Sequence, residues 1–167
     1  MKVQIADYDP HWPELFQREA DRIRAVLGPC ALQIEHIGST SVPGLSAKPV
    51  IDMLLVVDDS ADEDAYVPAL EAAGYVLLIR EAGWHEHRMF NGKETKINLH
   101  VFSSECPEIG RILMFRDWLR SNAADRALYA RTKLALAQQE WNAVQSYADA
   151  KTTVIEEIIG RARLAGG

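Results

Sequence analysis

The sequence has few of the features that mark secreted, membrane-bound or zinc-binding proteins. Only two of its 167 residues are cysteine, and Cys30 and Cys106 form no CxxC or Cys/His zinc pattern. No run approaches the roughly 18 apolar residues of a membrane span, and the first residues lack the apolar segment of a signal peptide. We therefore expect a cytoplasmic protein with two free thiols, a disulfide being the rarer alternative in that compartment.

Positive charge is also scarce, with 18 Lys and Arg residues against 24 Asp and Glu residues and a net charge of −6. A general nucleic-acid binder carries a basic surface, so the composition argues against one, although it allows a local basic pocket for a phosphate. The chain also contains no GxxxxGK[ST] motif and no Ser-His-Asp or Cys-His set with a recognisable spacing. Its length fits one domain, residues 1–167.

Hydrophobic alternation predicts five strands, at residues 32–37, 50–57, 75–80, 87–90 and 96–102. The second strand is apolar on both faces apart from Asp52, as in a central strand that is covered on both sides. In the last strand Lys96, Asn98 and His100 share one face, and the other face is apolar. Asn91-Gly92 predicts a hairpin between the last two strands.

Helical patterns flank these strands. Asp9 and Pro10 predict the start of an N-terminal helix, and Ser60 with Glu63 predicts a capping box that opens a second helix. From about residue 105 onward the pattern is helical, with a break and restart near Asn122. The sequence therefore predicts a mixed α/β (α+β) domain with flanking helices and a helical C-terminal third.

Asp52 is the most informative single residue, because a carboxylate in an apolar strand is costly to bury unless it is paired, hydrogen-bonded or metal-bound. The turn Gly38-Ser39-Thr40-Ser41 follows the preceding strand, where backbone N–H groups and hydroxyls could bind phosphate oxygens. Each feature alone also has a structural explanation, an internally bonded Asp or an ordinary turn. Together they match a turn that binds a triphosphate beside a carboxylate that holds a metal ion.

Several basic side chains could complete such a site. Lys48 lies between the turn and the Asp52 strand, where it would meet a phosphate or remain a surface lysine. Lys151 falls on the apolar stripe of the last helix, and a lysine there extends to the edge of the stripe more often than it points into a cleft. Arg116 and Arg120 are most simply the solvated face of a helix.

Two histidines are possible metal ligands beside Asp52. His100 shares the polar face of its strand with Asn98, and we rank it above His36 as a ligand. For either residue a structural, hydrogen-bonded histidine is the commoner role, because the spacing forms no metal motif.

Three early runs of the sequence resemble the GrpB family: YDPHW (8–12), EHIGSTSVPGL (35–45), and AKP with ID (47–49 and 51–52). Later segments are similar to the downstream motifs of that family: NLHV (98–101), FRDWLR (115–120) and YADAK (147–151). The resemblance implies a nucleotidyltransferase-like fold with a mixed sheet. The family has no settled reaction, and our first hypothesis is an enzyme. In it Gly38 and Ser39 would bind the triphosphate of an NTP, Mg²⁺ or another divalent cation would bind Asp52, and a nucleotide would pass to a small acceptor.

One position departs from the pattern that this resemblance implies. The nucleotidyltransferase pattern is Asp, one spacer, then Asp or Glu, and here the second acid is replaced by Leu54. The neighbouring strand offers Asn98 and His100 in place of a third acid, whereas Mg²⁺ prefers several oxygen ligands. The sequence therefore also supports a module that binds a nucleotide or another phosphorylated small molecule without catalysis. A third reading is an interaction partner with a vestigial pocket.

Overall fold

The computed structural model describes residues 4–139 and 144–166, without the side chains of residues 144–146. Its helices are α1 (Trp12–Leu27), α2 (Val67–Ala72), α3 (Pro107–Ser121), α4 (Ala123–Ala137), α5 (Val144–Ala150) and α6 (Thr152–Ala165). Its strands are β1 (Gln33–Ile37), β2 (Ile51–Val57), β3 (Val76–Glu81), β4 (His87–Asn91) and β5 (Ile97–Ser103). The five predicted strands and the helical C-terminal third are confirmed.

The strands form one mixed sheet in the order β1-β2-β5-β4-β3. β2 and β5 are parallel, and the other neighbouring pairs are antiparallel, including the predicted β4–β5 hairpin. Asp52 in β2 lies opposite Ile37 in β1 and opposite Asn98 in β5. Because directly opposed residues point to the same face of a sheet, the register brings these three side chains to one face.

Both faces of β2 are buried, as its apolar sequence predicted. Met53 and Leu55 face α1 and α2 in the largest hydrophobic cluster. Leu54 and Val56 face α3 on the other side, together with Phe102 of β5. Asp52 is the polar exception on this second face, and its side chain is 32% exposed at the start of the strand.

The helical third packs against the segment that follows β1. Val42 and Leu45 of that segment are buried in one cluster with residues of α3, α4 and α6. Asn122 ends α3, and its side chain accepts a hydrogen bond from the backbone N–H of Asp125, which confirms the predicted break. In the described ranges no helix is both long and apolar enough to cross a bilayer. Both cysteines are free, as expected.

The predicted start of the first helix is wrong by two residues. The helix begins at Trp12, and Pro13 rather than Pro10 occupies its first turn. The Asp9 carboxylate accepts a hydrogen bond from the backbone N–H of His11, at 2.8 Å, and therefore stabilises the turn before the helix.

The predicted capping box is also wrong, because both of its side chains form tertiary contacts instead. Ser60 is fully buried, and its hydroxyl donates to the backbone carbonyl of Glu86. The Glu63 carboxylate accepts hydrogen bonds from Arg80 and Arg88, and the pair with Arg80 is the largest cause of a Glu63 pKa of about 2. Helix α2 consequently starts only at Val67.

Candidate functional site

The turn after β1 comes into direct contact with Asp52. Gly38 has a φ of +71°, a conformation that side-chain-bearing L-residues rarely adopt. A Cβ atom at this position would lie 2.5 Å from Oδ2 of Asp52. The absence of a side chain at Gly38 therefore allows the turn to approach the carboxylate.

The hydroxyls of Thr40 and Ser41 serve the turn itself. Thr40 Oγ1 donates to the carbonyl of Val50 at 3.1 Å and lies 3.0 Å from Nε2 of His36. The Ser41 hydroxyl donates to the carbonyl of Gly38. Ser39 and Thr40 line a cleft beside Asp52, whereas Ser41 is 5% exposed within the turn. Phosphate binding by these residues stays a prediction, which the geometry supports best for Ser39.

Two arginines of α3 hold the turn in place. Arg120 Nε donates to the carbonyl of Ser41 at 3.0 Å. Arg116 donates to the carboxylate of Glu35 at 2.7 Å and to the carbonyl of His36 at 3.1 Å. The expectation of a solvated helix face is wrong here, because α3 lies against the end of β1 and guanidinium groups satisfy several acceptors at once.

Three lysines surround a cleft of about 320 Å³ that opens beside Asp52. We call it the lysine cleft, defined by Lys48, Lys133 and Lys151 together with Asp52. Its remaining lining includes the Ser39-Thr40 turn, Asn98, His100 and Tyr147. Among the described residues that line it, Asp52 is the only acidic one, so the cleft has an excess of positive groups.

The structure places Lys151 in the lysine cleft. The helix that was expected to run through this position is broken, and Lys151 precedes the first residue of α6. Its Nζ lies 4.8 Å from the ring centroid of Tyr147. Burial lowers the pKa of Lys151, opposed by Asp52 and assisted by Lys48. The expectation that Lys151 extends to the edge of the apolar stripe is wrong, because the break turns it inward.

Lys133 is the member of the cleft that the sequence reasoning missed. Its side chain is 2% exposed, and Nζ donates to the carbonyl of Ser46. Burial, with a smaller effect of Lys151, lowers its pKa from 10.5 to about 7. A signal was present in the sequence, because Tyr129, Lys133 and Ala137 are four residues apart and form the buried stripe of α4.

A chain of polar contacts leads from the surface to Asp52. Glu81 Oε1 lies 2.7 Å from Nδ1 of His87, Nε2 of His87 lies 3.0 Å from Nδ1 of His100, and Nε2 of His100 lies 3.5 Å from Oδ1 of Asp52. Burial is the largest cause of a lowered pKa at His87. The Glu81 carboxylate accepts the hydrogen bond from Nδ1 of His87. Of the two ring nitrogens of His100, Nδ1 contacts His87 and Nε2 faces Asp52.

His36 has a structural role. It projects from the sheet face opposite to Asp52, is 6% exposed, and stacks on Phe16 at 4.9 Å between ring centroids. Burial is the main reason that its pKa falls to about 4. The ring therefore stays neutral at physiological pH and hydrogen-bonds with Thr40.

Comparison with known proteins identifies the family. A sequence profile described as GrpB protein matches residues 2–161. The chain belongs to the GrpB family. A UPF0157 protein of Halalkalibacterium halodurans is 63% identical over 160 residues, which cover 96% of this chain and 82% of the relative. The crystal structure of the conserved protein GrpB from Enterococcus faecalis has 31% identity and a TM-score of 0.81, with 95% of this chain and 98% of that one covered.

More distant structures establish the fold of this GrpB-family chain. A structure of Cid1, described as having RNA terminal uridylyl transferase activity, matches with a TM-score of 0.57 and 14% identity. The match covers 85% of this chain and 43% of Cid1. At this identity the likeness concerns the fold alone. The predicted nucleotidyltransferase-like fold is thereby confirmed.

This GrpB chain differs from the nucleotidyltransferase pattern at the position where that pattern has an acidic pair. Leu54 is fully buried in an apolar cluster, and Glu35, on the same face as Asp52, is bound by Arg116. Residues 4–139 and 144–166 contain no group of three or more His, Cys, Asp or Glu side chains that could hold a metal ion. Asp52 Oδ1 and His100 Nε2, which lie 3.5 Å apart, provide one oxygen and one nitrogen. This pair fits a divalent ion that accepts imidazole better than it fits Mg²⁺.

Proposed function

We propose that this chain binds the polyphosphate of a nucleoside triphosphate in the lysine cleft. The observation that carries the proposal is the burial of Lys133 beside Lys151, with Asp52 as the only acidic residue among the described lining. A buried ammonium group without an anionic partner is unfavourable, and a bound phosphate would supply that partner. The predicted roles of Lys48 and Lys151 in phosphate binding belong to the same proposal.

The position of the cleft favours a nucleoside triphosphate over a single phosphate. Lys48, Lys133 and Lys151 all line the cleft, so a chain of phosphates in it would meet more than one ammonium group. The cleft also adjoins Asp52 at the Gly38 turn of a nucleotidyltransferase-like sheet. The expected cytoplasmic location and the absence of general nucleic-acid binding remain predictions.

Transfer of the nucleotide to a small acceptor is the second candidate function. Asp52 favours it, because this partly exposed carboxylate lines the lysine cleft together with His100. The acceptor hydroxyl would form a bond to the α-phosphorus, and the bond from that phosphorus to the β-phosphate oxygen would break. Pyrophosphate would leave towards the lysines, and the hydroxyl proton would pass to Asp52. A divalent ion, when bound to Asp52 and His100, would neutralise phosphate charge.

Calorimetry with ATP, GTP, CTP and UTP tests the binding proposal, with each nucleotide measured with Mg²⁺, with Mn²⁺ and with EDTA. We expect at least one nucleotide to bind, and Lys151→Met to weaken its affinity by about tenfold, the effect of losing one charge-assisted contact. Lys96→Met is the matched control, because Lys96 is exposed outside the cleft. Failure of all four nucleotides to bind the folded protein would refute the proposal.

Transfer is tested separately with NTPs that carry a radioactive α-phosphate and a panel of small hydroxyl-bearing acceptors. We expect label to enter an acceptor, and Asp52→Asn to abolish incorporation while nucleotide binding persists. If the unaltered protein binds a nucleotide but incorporates no label under any metal condition, the transfer proposal is rejected and only the binding proposal remains.

A further inference from the structure

A second cleft lies on the other side of His100. It has a volume of about 470 Å³ and runs between strands β3 to β5 and helix α3. We call it the aromatic cleft, defined by Ile79, Trp84, Met89, Phe102 and Ile112, with Glu81, His87 and His100 as its polar lining. None of these residues belongs to the lysine cleft except His100, which lines both.

The two clefts meet at the proposed reaction centre. His100 Nε2 lies 3.5 Å from Oδ1 of Asp52, so a molecule in the aromatic cleft that reaches His100 also approaches Asp52. A further opening lined by Asp52, His100 and Ile112 connects the same residues along α3. A nucleotide on one side and a second molecule on the other would therefore both approach Asp52.

The lining of the aromatic cleft favours a flat ring. Trp84 is 43% exposed although it is a large apolar side chain. Its ring centroid lies 5.2 Å from that of His87 and 5.8 Å from that of Phe102, in edge-to-face arrangements. An aromatic molecule would cover the exposed indole and continue this cluster of rings.

The charge of the aromatic cleft is opposite to that of the lysine cleft. No lysine or arginine occurs among the described residues that line it, and Glu81 contributes a carboxylate that is 46% exposed. A phosphate or carboxylate would gain no cationic partner there, whereas an amine or an N–H donor would interact with Glu81 and with the indole face. The cleft itself therefore offers an anion no cationic partner, whereas Arg111 and Arg116 line the opening along α3.

The chain of contacts from Glu81 through His87 to His100 fixes the polar edge of the cleft. The His87 and His100 rings are stacked at 5.2 Å and joined at 3.0 Å between nitrogen atoms. Because the two rings fix each other's orientation, Nε2 of His100 points towards Asp52. A hydroxyl group on the second molecule would meet the Asp52 carboxylate at that point.

We infer that the aromatic cleft is an acceptor site, which takes a neutral or cationic aromatic molecule that carries a hydroxyl group. The acceptor role rests on the proposed nucleotidyl transfer, whereas the binding itself does not. The hydroxyl oxygen would form the new bond to the α-phosphorus, pyrophosphate would leave into the lysine cleft, and the hydroxyl proton would pass to Asp52.

The test uses the full chain labelled with fluorotryptophan, in which the fluorine resonance of Trp84 is assigned by its loss in Trp84→Phe. The probes are tyramine, adenosine and para-hydroxyphenylacetate. We expect tyramine and adenosine to shift the Trp84 resonance while that of the buried Trp12 stays in place. We expect para-hydroxyphenylacetate to bind at least about fivefold more weakly than tyramine, because it carries a negative charge.

Two neighbouring residues of β3 provide a matched pair of variants. Ile79 lines the aromatic cleft, whereas Leu78 is 54% exposed to solvent. Ile79→Arg should abolish the tyramine response, and Leu78→Arg should leave it unchanged. Glu81→Gln should narrow the difference between tyramine and para-hydroxyphenylacetate.

The outcomes separate this inference from the proposed function. If neither tyramine nor adenosine shifts Trp84, or if Ile79→Arg responds like the unaltered chain, the aromatic cleft is not an acceptor site, even where ATP binds. If the probes bind as expected and no nucleotide binds or reacts, the proposed function fails and the acceptor role fails with it.

Discussion

Gly38 and Asp52 pack so closely that a Cβ atom on Gly38 would lie 2.5 Å from Oδ2 of Asp52. The contact joins the turn after β1 to the carboxylate of β2, at the edge of the lysine cleft that Ser39 and Asp52 line. Any side chain at position 38 has to displace Asp52, the turn, or both. This relationship leads to the first prediction.

Gly38→Ala should impair nucleotide binding through the displacement of Asp52 as well as through backbone strain. Gly44→Ala is the matched control, because Gly44 also has a positive φ, +81°, but a Cβ atom there would have no other atom within 4 Å. We expect Gly44→Ala to cost roughly 1 kcal/mol of unfolding free energy, and Gly38→Ala about 2–4 kcal/mol. Urea denaturation and ATP calorimetry measure the two effects. Equal losses of unfolding free energy in the two variants would contradict a close contact between Gly38 and Asp52.

Lys133→Met should stabilise the protein that has no bound anion while it weakens nucleotide binding. The folded pKa of Lys133, about 7, lies below the ordinary 10.5, so the destabilising effect of its charge is complete below pH 7 and disappears as the pH rises towards 10.5. We expect a gain of roughly 1–3 kcal/mol near pH 6, shrinking by pH 9. Urea denaturation at the two pH values measures it. An equal gain with Lys96→Met would contradict the assignment to the buried lysine.

Nucleotide binding should take up a proton at pH 8. Lys133 is mostly neutral at that pH, and an adjacent polyphosphate would raise its pKa, so an uptake of up to about one proton is expected. Calorimetry in two buffers with different ionisation enthalpies measures the number of protons. The uptake should vanish in Lys133→Met. An unchanged uptake in that variant would assign the proton to another group.

A divalent ion that accepts imidazole should bind more tightly than Mg²⁺. His100 and Asp52 supply one nitrogen and one oxygen donor, and Mg²⁺ prefers oxygen. We expect Mn²⁺ or Zn²⁺ to raise the melting temperature more than Mg²⁺ does, and His100→Ala to remove the difference. His11→Ala is the control, because the His11 side chain is 73% exposed outside the site. Stabilisation by Mg²⁺ alone would contradict this donor set.

Asp125 should be important for the stability of the helical third. Its carboxylate accepts hydrogen bonds from Trp118 Nε1 at 2.7 Å and from the Arg161 guanidinium at 2.7–3.1 Å. Because Arg161 is 45% exposed, solvent screening reduces the ion-pair contribution, and we expect Asp125→Asn to cost about 1–2 kcal/mol. The exposed Asp64→Asn serves as the control in urea denaturation. Equal midpoints for the two variants would contradict the role of Asp125.

The Asp125 carboxylate should also make the free energy of unfolding depend on pH in the acidic range. The hydrogen bond from Arg161 is the main reason that the pKa of Asp125 is lowered. A carboxyl group whose folded pKa is depressed contributes stability above its unfolded pKa, near 3.8, and loses it as the pH falls through the folded value. The free energies of unfolding of the unaltered protein and of Asp125→Asn should therefore differ at pH 6 and converge as the pH falls below 3.8 and through the folded pKa of Asp125.

The sequence by itself determined the strands, the hairpin and the Gly38–Asp52 core of the site. These features depend on short-range rules, namely alternation along a strand, glycine in a turn and a polar residue in an apolar run. The resemblance to the GrpB family added the nucleotidyltransferase-like fold, which the comparisons confirm. The roles of Asp52, Lys48 and Lys151 in binding remain predictions.

Tertiary structure alone decided which side chains meet. Ser60 and Glu63 have the pattern of a capping box, but contacts with Glu86 and the two arginines outweigh it. The helical spacing of Arg116 and Arg120 predicts a solvated face. The packing of α3 on β1 instead brings both side chains to buried carbonyl acceptors.

The clefts beside Asp52 arise in the same way. Lys133 and Lys151 line one cleft with Asp52 only because α4 and α6 pack on the segment after β1. His87 meets His100 only through the pairing of β4 with β5. The sequence thus determined one carboxylate and one turn. Long-range packing, which depends on contacts between residues far apart in the chain, decided the cations on one side of that carboxylate and the aromatic cleft on the other.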